Sequence, residues 1–388
     1  MNYPLKDIKV IEFARILAGP WAGQLLSDLG SEVIKVESPS GDDTRYWGPP
    51  FVQGKEDFLD AAYFHSCNRG KKSVIADIKT EKGLNLIKNI AKDSDVFIEN
   101  FKVGSLKKYD LDYESLSKSN PRLIYCSITG FGQTGPYAKK MGYDFIIQAL
   151  SGIMDITGDP DGEPNKMGVA FVDIFTALYS VIAIQAALKV REETGKGQFI
   201  DMSLMDSMTS VLANQALNYF VSGESPTRLG NAHPNIVPYR TFPTSDGFLV
   251  IAVGNDSQFS RLCDALDISK ISNLEEFKTN SSRVKNRKQL EEIISSKTIK
   301  HSRSSLQSIL EKNMIPVGPV NKISEVFLDP QIRHRKLQIV TPHTGAKNGV
   351  SPGLKSPIVF SDSSLDYSKG VPRHGEHTEE IENRYRKK

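Results

Sequence analysis

Residues 9–37, KVIEFARILAGPWAGQLLSDLGSEVIKVE, predict one complete strand–helix–strand unit. The apolar runs KVIEF (9–13) and EVIKVE (32–37) have the length and composition of buried strands. Between them, Pro20 suits the first turn of a helix and Gly30 is placed to end it. Because two strands joined by a helix form a parallel βαβ unit, this stretch predicts an α/β fold.

The same alternation of strands and helices continues beyond this unit. Apolar runs at 73–77, 95–101 and 122–128 predict three further strands, and a helical pattern covers 81–93. We therefore predict a parallel sheet of Rossmann-like architecture. The first turn reads ARILAGPWAG and lacks the GxGxxG fingerprint, which counts against a dehydrogenase or another dinucleotide binder.

Composition divides the chain further along. The segment SGESPTRLGNAHPN (222–235) is rich in Gly, Pro, Ser and Asn, which is typical of a linker. After it, YRTFPTSDGFLVIAV (239–253) predicts a hairpin with a Ser-Asp-Gly turn. We predict a large Rossmann-like domain over 1–220, a smaller α+β domain with its linker over 221–325, and a C-terminal segment over 326–388.

The bulk properties exclude several classes of protein. A net charge of +3 is too small to indicate a nucleic-acid partner. Three cysteines without a CxxC pair, and histidines without HxxxH or HExxH spacing, predict neither a disulfide framework nor a metal site. The apolar stretch 174–188 falls short of the about 20 residues that a membrane span needs. We expect a cytoplasmic protein, with a mitochondrial-matrix form that has lost a presequence as the alternative.

Basic residues cluster in loops that follow predicted strands. Arg15 follows the first strand, and the segments NRGKKS (68–73) and ENFKVGSLKK (99–108) hold further basic side chains, including Arg69, Lys72, Lys102 and Lys108. In open α/β sheets, ligands bind beyond the carboxyl ends of the strands. A solvated surface is the more frequent role of any single lysine, but the joint placement favours a ligand with several phosphates.

One carboxylate, Asp173 in GVAFVDIFTAL (168–178), stands just before a long apolar run. It either caps the following helix or is a catalytic carboxylate held at a helix N-terminus, and these residues alone favour the cap. Two further candidates lie in the second domain. The junction AVGNDSQF (252–259) has backbone N–H groups that suit an anion. For His233, a ligand contact and a backbone-bonded loop role are equally favoured.

Taken in order, these motifs resemble the class III coenzyme A (CoA) transferases, the CaiB/BaiF-like family. The resemblance covers nearly the whole chain and rests on seven segments: FARILAGPWAGQLLSDLGSEVIKVE, NRGKKSV, IENFKVG, SITGFGQTGPY, GYDFIIQALSGIMDITG, GVAFVDIFTAL and REETGKGQFIDMSL. The segments RLGNAHPNIVPYRTFPTSDGFLVIAVGNDSQF and FKTNSSRVKNRKQL look most like the succinyl-CoA:glutarate branch. The resemblance implies an enzyme that moves CoA from an acyl-CoA, succinyl-CoA by this branch, to a dicarboxylate such as glutarate.

The resemblance also implies a mechanism and a role for Asp173. In the family, the aspartate at this position attacks the donor thioester and forms a mixed anhydride, which the released CoA converts into an aspartyl-CoA thioester. Covalent catalysis of this kind splits one difficult transfer into easier steps. An aspartate with the ordinary pKa of ~3.9 is anionic at neutral pH, so we expect no general base. What the site needs is exclusion of water and donors for the developing oxyanion.

The remaining site residues carry over by position. Basic residues are expected to contact the CoA phosphates or the acyl carboxylate, Asn100 and Phe101 to line the CoA cleft, and a loop at 254–258 to cover it. The complete predicted CoA and substrate site is Arg15, Arg69, Lys72, Asn100, Phe101, Lys108, Tyr143, His233, Gly254, Asn255 and Gln258. No metal and no cofactor other than CoA as a substrate are expected. The family fold implies a C-terminal segment that returns to the large domain, and two chains interlocked in a homodimer.

Two departures from related enzymes narrow the expected activity. The α-methylacyl-CoA racemases, which form the alternative assignment, carry a histidine for proton transfer in a GHD motif where this chain has GYD with Tyr143. Tyrosine, with a pKa of ~10, is a poor base at pH 7. Formyl-CoA transferases carry a run of glycines where this chain reads VGNDSQ (253–258), which argues against oxalate as the acceptor.

Overall fold

The computed structural model of the chain describes residues 2–55 and 58–386. The described residues form thirteen strands, which in chain order are β1 (Lys9–Phe13), β2 (Glu32–Glu37), β3 (Phe51–Gln53), β4 (Phe58–Ala61), β5 (Lys72–Ile75), β6 (Val96–Glu99), β7 (Ile124–Thr129), β8 (Phe199–Ser203), β9 (Tyr239–Thr244), β10 (Gly247–Ala252), β11 (Val317–Pro319), β12 (Gln338–Pro342) and β13 (Val350–Leu354).

Fifteen α-helices lie in the same described ranges: α1 (Ala18–Asp28), α2 (Ala62–Cys67), α3 (Glu81–Lys92), α4 (Tyr113–Ser119), α5 (Asp144–Leu150), α6 (Phe171–Thr194), α7 (Leu204–Ser210), α8 (Ala213–Ser222), α9 (Asp256–Ala265), α10 (Asn280–Lys285), α11 (Arg287–Thr298), α12 (Arg303–Lys312), α13 (Ile323–Val326), α14 (Pro330–Arg335) and α15 (Thr378–Arg386). Short 3-10 helices occur at Asp43–Tyr46, Lys107–Tyr109 and Ser269–Asn273.

Six strands form a parallel sheet in the order β5-β2-β1-β6-β7-β8. In its centre, Val10 of β1 is paired with Val33 of β2 on one side and with Val96 of β6 on the other. Such β-branched residues pack well in strands that are buried on both faces. The strand order is that of the doubly wound Rossmann sheet, so the predicted α/β fold is confirmed.

The sheet grows in two directions from β1. The chain first adds β2 and β5 on one side, and then adds β6, β7 and β8 on the other. The connections that leave the carboxyl ends of β1 and β6 therefore cover opposite faces of the sheet, which leaves a crevice between them. The topology itself makes this crevice the expected place for a ligand.

Two apolar cores lie on the two faces of this sheet. Neighbouring residues of β1 contribute to different cores, because side chains alternate along a strand: Val10 belongs to the core that includes residues of α1 and α6, and Ile11 to the core that includes residues of α3, α4 and α15. Ile381 of α15 is fully buried in the second core. The C-terminal helix is thus an integral part of this sheet domain.

The long helix α6 spans 24 residues and ends at Gly195, which adopts a φ of 72°. It is longer than the apolar stretch expected from the sequence, and in the described part of the chain it alone is long and apolar enough to cross a membrane. Half of its most apolar window is buried within the protein. Core helices of other proteins pass the same test of length and composition, so this test alone does not show that α6 spans a membrane.

The chain divides into two compact units. The first comprises Met1–Ile153, Lys166–Leu217 and Gln331–Lys388, and the second comprises Met154–Asn165 and Asn218–Pro330. The large domain expected over 1–220 is therefore interrupted by a short segment that packs with the second unit. The predicted C-terminal segment runs to Lys388, and its last two residues lie outside the described residues.

The second unit is built on an antiparallel sheet in the order β11-β10-β9. The predicted hairpin is present, with Thr244 paired with Gly247 across its turn. The core of this unit joins Phe242 and Leu249 of the sheet to residues of α9, α11 and α12, including Phe259. This arrangement is the α+β architecture expected from the composition.

Candidate active site

A cavity of about 390 Å³ lies beyond the carboxyl ends of β1, β6 and β7. Its walls come from residues that directly follow these strands, together with the N-terminal residues of α5 and α6. The lining residues on which the argument rests are Arg15, Ile16, Asn100, Phe101, Lys102, Lys139, Lys140, Tyr143, Asp144 and Asp173. The cavity therefore occupies the crevice that the strand order creates.

The loop after β1 is held against the loop after β6 by one amide side chain. The Oδ1 atom of Asn100 accepts a hydrogen bond from the backbone N–H of Arg15 at 2.9 Å, and its Nδ2 donates to the Arg15 carbonyl at 2.7 Å. The Arg15 guanidinium lies 2.9 Å from Asp43 and is more than half exposed. Of the predicted site, Arg15, Asn100 and Phe101 are thus brought together at the cavity.

The neighbouring Ile16 has a left-handed backbone, with a φ of 72°. A β-branched residue in this region is strained by roughly 1–3 kcal/mol. Its backbone N–H donates to the carboxylate of Asp42, at 3.2 Å to Oδ2. Burial alone would raise the pKa of Asp42, but the charge of Lys35, 3.0 Å away, holds that pKa below its usual range. An ionised, anchored acceptor therefore stabilises the strained loop.

Asp173 lies in the first turn of α6 but does not cap it. The helix begins at Phe171 after Ala170, so Asp173 is its third residue, and the N-cap interpretation favoured by the sequence is wrong. Asp144 supplies the cap from another helix: its Oδ1 accepts from the N–H groups of Val172 at 2.8 Å and Asp173 at 3.3 Å. The long-range hydrogen bonds from Asp144 thus replace the local cap that the sequence predicted for Asp173.

The carboxylate of Asp173 is nine-tenths buried and receives no hydrogen bond from any described residue. Burial, and then the charge of Asp144, raise the pKa of Asp173 to about 7. The pKa of Asp173 in the protein without substrate is therefore well above the ordinary value on which the expectation of a fully anionic aspartate rests. A carboxylate without hydrogen-bond donors in an apolar surrounding is a stronger nucleophile than a solvated one, but it forms only as the pH rises towards about 7.

The cavity also holds cations that the sequence prediction of the site did not include. Lys102, Lys139 and Lys140 line it together with Arg15. The Nζ atom of Lys140 lies 3.6 Å from the centre of the Tyr137 ring, an arrangement that orients the ammonium group. Lys102 belongs to the basic segment 99–108 that was singled out in the sequence, whereas Lys139 and Lys140 were marked only by their position one residue before the GYD motif. These ammonium groups fit the several phosphates of an anionic ligand.

Three predicted cations are engaged elsewhere in the same unit. Arg69 is buried and pairs with Asp28 at 2.6 Å, and its Nη1 donates to a backbone carbonyl. Lys72 pairs with Glu32 and Glu380, at 2.9 Å and 2.6 Å. Lys108 lies over the Tyr109 ring and does not line the cavity. The basic clusters were visible in the sequence, but the partners of Arg69 and Lys72 come from distant elements, so the sequence did not show that these two were already paired.

The other predicted residues divide between the two units. Tyr143 lines the cavity and is about half exposed. In the second unit, Asn255 caps α9 by accepting from Gln258 N–H, and Gln258 accepts from Gly254 N–H at 2.7 Å. His233 accepts from a backbone N–H through Nδ1, which is the loop role considered for it. A role of these second-unit residues in the site stays a prediction.

One group of metal-ligand side chains, Asp60, His65 and His343, occurs in the described part of the chain. Its contacts disfavour a cation. Asp60 pairs with Arg45 at 2.6 Å. The backbone N–H of Gly345 donates to Nδ1 of His343, which leaves the ring proton on Nε2, the atom that a metal would need. We assign this group to packing of the first unit.

Comparison with known proteins assigns the chain to a family. The model of CoA-transferase family III matches residues 5–378. The chain is 54% identical to a succinate–glutarate CoA-transferase of Agrobacterium fabrum over 97% of this chain and 94% of that protein. It is 42% identical to the human succinyl-CoA:glutarate CoA-transferase over 97% and 85% of the two chains.

Two solved structures are similar to this chain over nearly its whole length. A crystal structure of a CaiB/BaiF family protein from Brucella suis is similar with a TM-score of 0.89 and 55% identity, over 99% of this chain and 100% of that one. Rv3272 of Mycobacterium tuberculosis is similar with a TM-score of 0.85 and 26% identity, over 97% and 98%. The family resemblance seen in the ordered sequence motifs is confirmed, and the chain belongs to CoA-transferase family III.

Proposed function

We propose that this protein transfers CoA from succinyl-CoA to glutarate, with Asp173 as the nucleophile. The substrates are those named for the relatives from Agrobacterium fabrum and human. One observation carries the role of Asp173: its carboxylate is buried at the cavity, and no described residue donates a hydrogen bond to it. Asp144, the other carboxylate that lines the cavity at a helix N-terminus, is occupied by hydrogen bonds.

The first half of the reaction moves CoA onto the enzyme. A carboxylate oxygen of Asp173 attacks the thioester carbonyl of succinyl-CoA, the C–S bond breaks, and CoA leaves as a thiolate. The products are CoA and a mixed anhydride of Asp173 and succinate. The thiolate then attacks the Asp173 carbonyl, which releases succinate and leaves an aspartyl-CoA thioester.

The second half repeats these steps in the opposite direction. A carboxylate of glutarate attacks the aspartyl thioester, which releases the CoA thiolate and forms an anhydride with Asp173. Attack of the thiolate on the glutaryl carbonyl gives glutaryl-CoA and regenerates the Asp173 carboxylate. Each step conserves charge and needs no oxidant, metal or other cofactor, so we propose CoA as the only coenzyme, present as substrate.

The cavity supplies what these steps require. The cationic side chains of Arg15, Lys102, Lys139 and Lys140 suit the phosphates of CoA and the free carboxylate of a dicarboxylate. The position of Asp173 in the first turn of α6 places negative charge near the positive end of a long helix. The low exposure of Asp173 limits access of water, which protects an anhydride from hydrolysis.

We further propose that two chains associate as an interlocked homodimer. The support is an apolar surface on the first unit, formed by exposed residues of α5 and α6: Phe145, Ile146, Leu150, Leu178, Tyr179 and Ile182. Large apolar side chains exposed on two helices that contact each other are typical of an interaction face. Light scattering coupled to size-exclusion chromatography tests this: the chain is expected to elute as a dimer, and Ile182→Glu to weaken it.

The activity is tested by mass spectrometry of acyl-CoA products. Protein dialysed against a chelator is mixed with succinyl-CoA and, separately, glutarate, mesaconate, citramalate, oxalate and acetate. We expect glutaryl-CoA as the main product, and formation of succinate in equal amount. Product with another acid only would reject glutarate, and exchange of an α-proton without any acceptor acid would indicate the racemase alternative.

The nucleophile is tested with Asp173→Asn, which keeps the size of the side chain. Transfer is expected to fall by about 10³-fold or more, since the covalent route is lost. Asp206→Asn is the matched control, because Asp206 is the third residue of α7 but does not line the cavity. Intact-protein mass spectrometry after mixing with succinyl-CoA should detect a CoA adduct on the native protein and none on Asp173→Asn.

A further inference from the structure

The buried amide of Gln148 connects two segments that flank Asp173. Gln148 lies on α5, one turn after Asp144, and is fully buried. Its Nε2 donates to Oδ2 of Asp144 at 2.6 Å, and its Oε1 accepts from the backbone N–H of Met167 at 2.9 Å. One amide thus holds a carboxylate of the cavity and the backbone that leads into α6.

Asp144 extends this connection to the helix itself. While Oδ2 is held by Gln148, Oδ1 accepts from the N–H groups of Val172 and Asp173. The segment from Met167 to Asp173 is therefore fixed at both ends by one pair of side chains on α5. Within this segment Ala170 makes no side-chain cap, so α6 depends on Asp144 for its first turn.

The chemistry of this connection requires an amide. Gln148 must donate to an ionised carboxylate with one end and accept from a backbone N–H with the other. Leucine does neither, and an ionised glutamate places a like charge against Asp144. A protonated glutamate does both, because its O–H donates and its carbonyl oxygen accepts. A glutamate at position 148 should therefore support the connection when it is protonated and break it when it is ionised, and a change of pH tests this.

We propose that Gln148 is a positioning residue for the transfer reaction: by holding Asp144 and Met167 together, it fixes the place and direction of the Asp173 carboxylate in the cavity. This inference rests on the proposed function. The expected effect of Gln148 on the reaction rate is large, because a displacement of about 1 Å at a reacting group can cost on the order of 10²-fold in rate.

The titratable groups that face Asp173 come from two elements. The charge of Asp144 of α5 raises the pKa of Asp173, and the charges of both carboxylates raise the pKa of Tyr63 of α2. Wild-type activity is expected to rise with pH as Asp173 ionises, so each variant is compared with the native protein at the same pH. A ratio of kcat values removes the titration that both proteins share.

The test measures kcat and KM for Gln148→Glu and Gln148→Leu between about pH 6 and pH 8.5. For Gln148→Leu we expect kcat to fall by about 10- to 100-fold with KM for succinyl-CoA within about threefold. For Gln148→Glu we expect a ratio to wild type that is near one at the acidic end, and that falls by about tenfold or more as the new carboxyl ionises.

Gln24→Leu is the matched control. Like Gln148, Gln24 is buried and uses both ends of its amide: it donates to the Ser66 carbonyl and accepts from the Arg69 N–H. Unlike the segment that Gln148 holds, Gln24 does not border the cavity. It should lose stability similarly and keep kcat within about twofold. Equal loss of kcat in Gln24→Leu and Gln148→Leu, or a ratio for Gln148→Glu that is already low at the acidic end, overturns the proposal.

Hydrogen exchange separates this inference from the proposed function. In Gln148→Glu, amides of the segment 167–173 should be protected at about pH 6 as in the wild type, and should exchange faster than the wild type at about pH 8, after correction for intrinsic rates. Protection of the same amides in Gln148→Leu equal to that in the wild type would refute the connection. If the wild type makes no glutaryl-CoA the proposed function fails, while this measurement still decides whether Gln148 holds the segment.

Discussion

Two groups of buried charges lie in the same unit of this protein, and they are treated in opposite ways. Beneath the loop after β1, the fully buried Lys35 lies 3.0 Å from both Glu12 and Asp42, and Lys71 lies 2.7 Å from Glu12. At the N-terminus of α6, Asp173 is nearly as buried but receives no hydrogen bond from any described residue.

The pKa values record the difference. Burial would lower the pKa of Lys35, but its carboxylate neighbours raise it, so Lys35 stays charged. Burial raises the pKa of Asp173 to about 7, and the neighbouring Asp144 adds to the rise. The paired charges around Lys35 hold the cavity wall in place. The Asp173 carboxylate has no hydrogen-bond donor among the described residues, so its oxygens are free to react with a substrate. The comparison teaches that the site combines a rigid frame with one destabilised group.

The largest expected effect on stability comes from breaking the paired group. Lys35→Met leaves Asp42 and Glu12 buried with fewer partners, and should lower the free energy of unfolding by about 3–5 kcal/mol. Urea denaturation measures it. The control is Lys82→Met, because the Lys82 side chain is largely exposed and its pair with Glu382 should contribute less than about 1 kcal/mol. Similar losses in both variants would contradict the distinction.

Removing the unpaired charge should have the opposite sign. Because the pKa of Asp173 is raised in the folded protein, its contribution is favourable at low pH and is lost as the pH rises from about 4 through about 7. Asp173→Asn should therefore increase the free energy of unfolding at pH 8 by about 1–3 kcal/mol. At about pH 4 the two proteins should be equally stable. A variant that is less stable at pH 8 would show that the carboxylate is not a strained group.

The influence of Asp144 on Asp173 gives a smaller, kinetic effect. In the wild type, kcat/KM should rise with pH as Asp173 ionises, with a midpoint near the pKa of about 7. Asp144→Asn removes a nearby negative charge, so the midpoint should move to lower pH by roughly one unit or less. The pH profile measures it. An unchanged or raised midpoint would mean that Asp144 acts only as the cap of α6.

The smallest expected effect distinguishes the cations of the cavity from those used in packing. Lys102→Ala should raise KM for succinyl-CoA by about 3- to 10-fold, since an ammonium group that faces CoA phosphates is lost. Lys72→Ala should leave KM within about twofold, because Lys72 is paired with Glu32 and Glu380. Steady-state kinetics at constant ionic strength measures both KM values. A larger rise of KM in Lys72→Ala than in Lys102→Ala would show that Lys72 contacts the substrate after all.

Part of the cavity was readable in the sequence, because ligands of such sheets bind beyond the carboxyl ends of strands, and these ends are visible as the ends of apolar runs. Arg15 follows the first predicted strand, Asn100 and Phe101 end the fourth, and all three line the cavity as expected. Lys139 and Lys140 were missed, because a pair of lysines in a loop carries no signal of its own. Arg69 and Lys72 were included in the prediction, and their partners Asp28 and Glu380 explain why the structure places them elsewhere.

The sequence by itself determined the α/β class, most strands of the sheet and the family, and it singled out Asp173 as the candidate nucleophile. These follow from apolar periodicity and from ordered motifs, which are properties of neighbouring residues. Only the tertiary structure decided the state of that aspartate, because its environment is made by residues far away in the chain. Asp144 caps the helix in its place, Gln148 holds Asp144, and burial raises its pKa to about 7. Desolvation and through-space charge depend on the packed fold, so no local pattern encodes them.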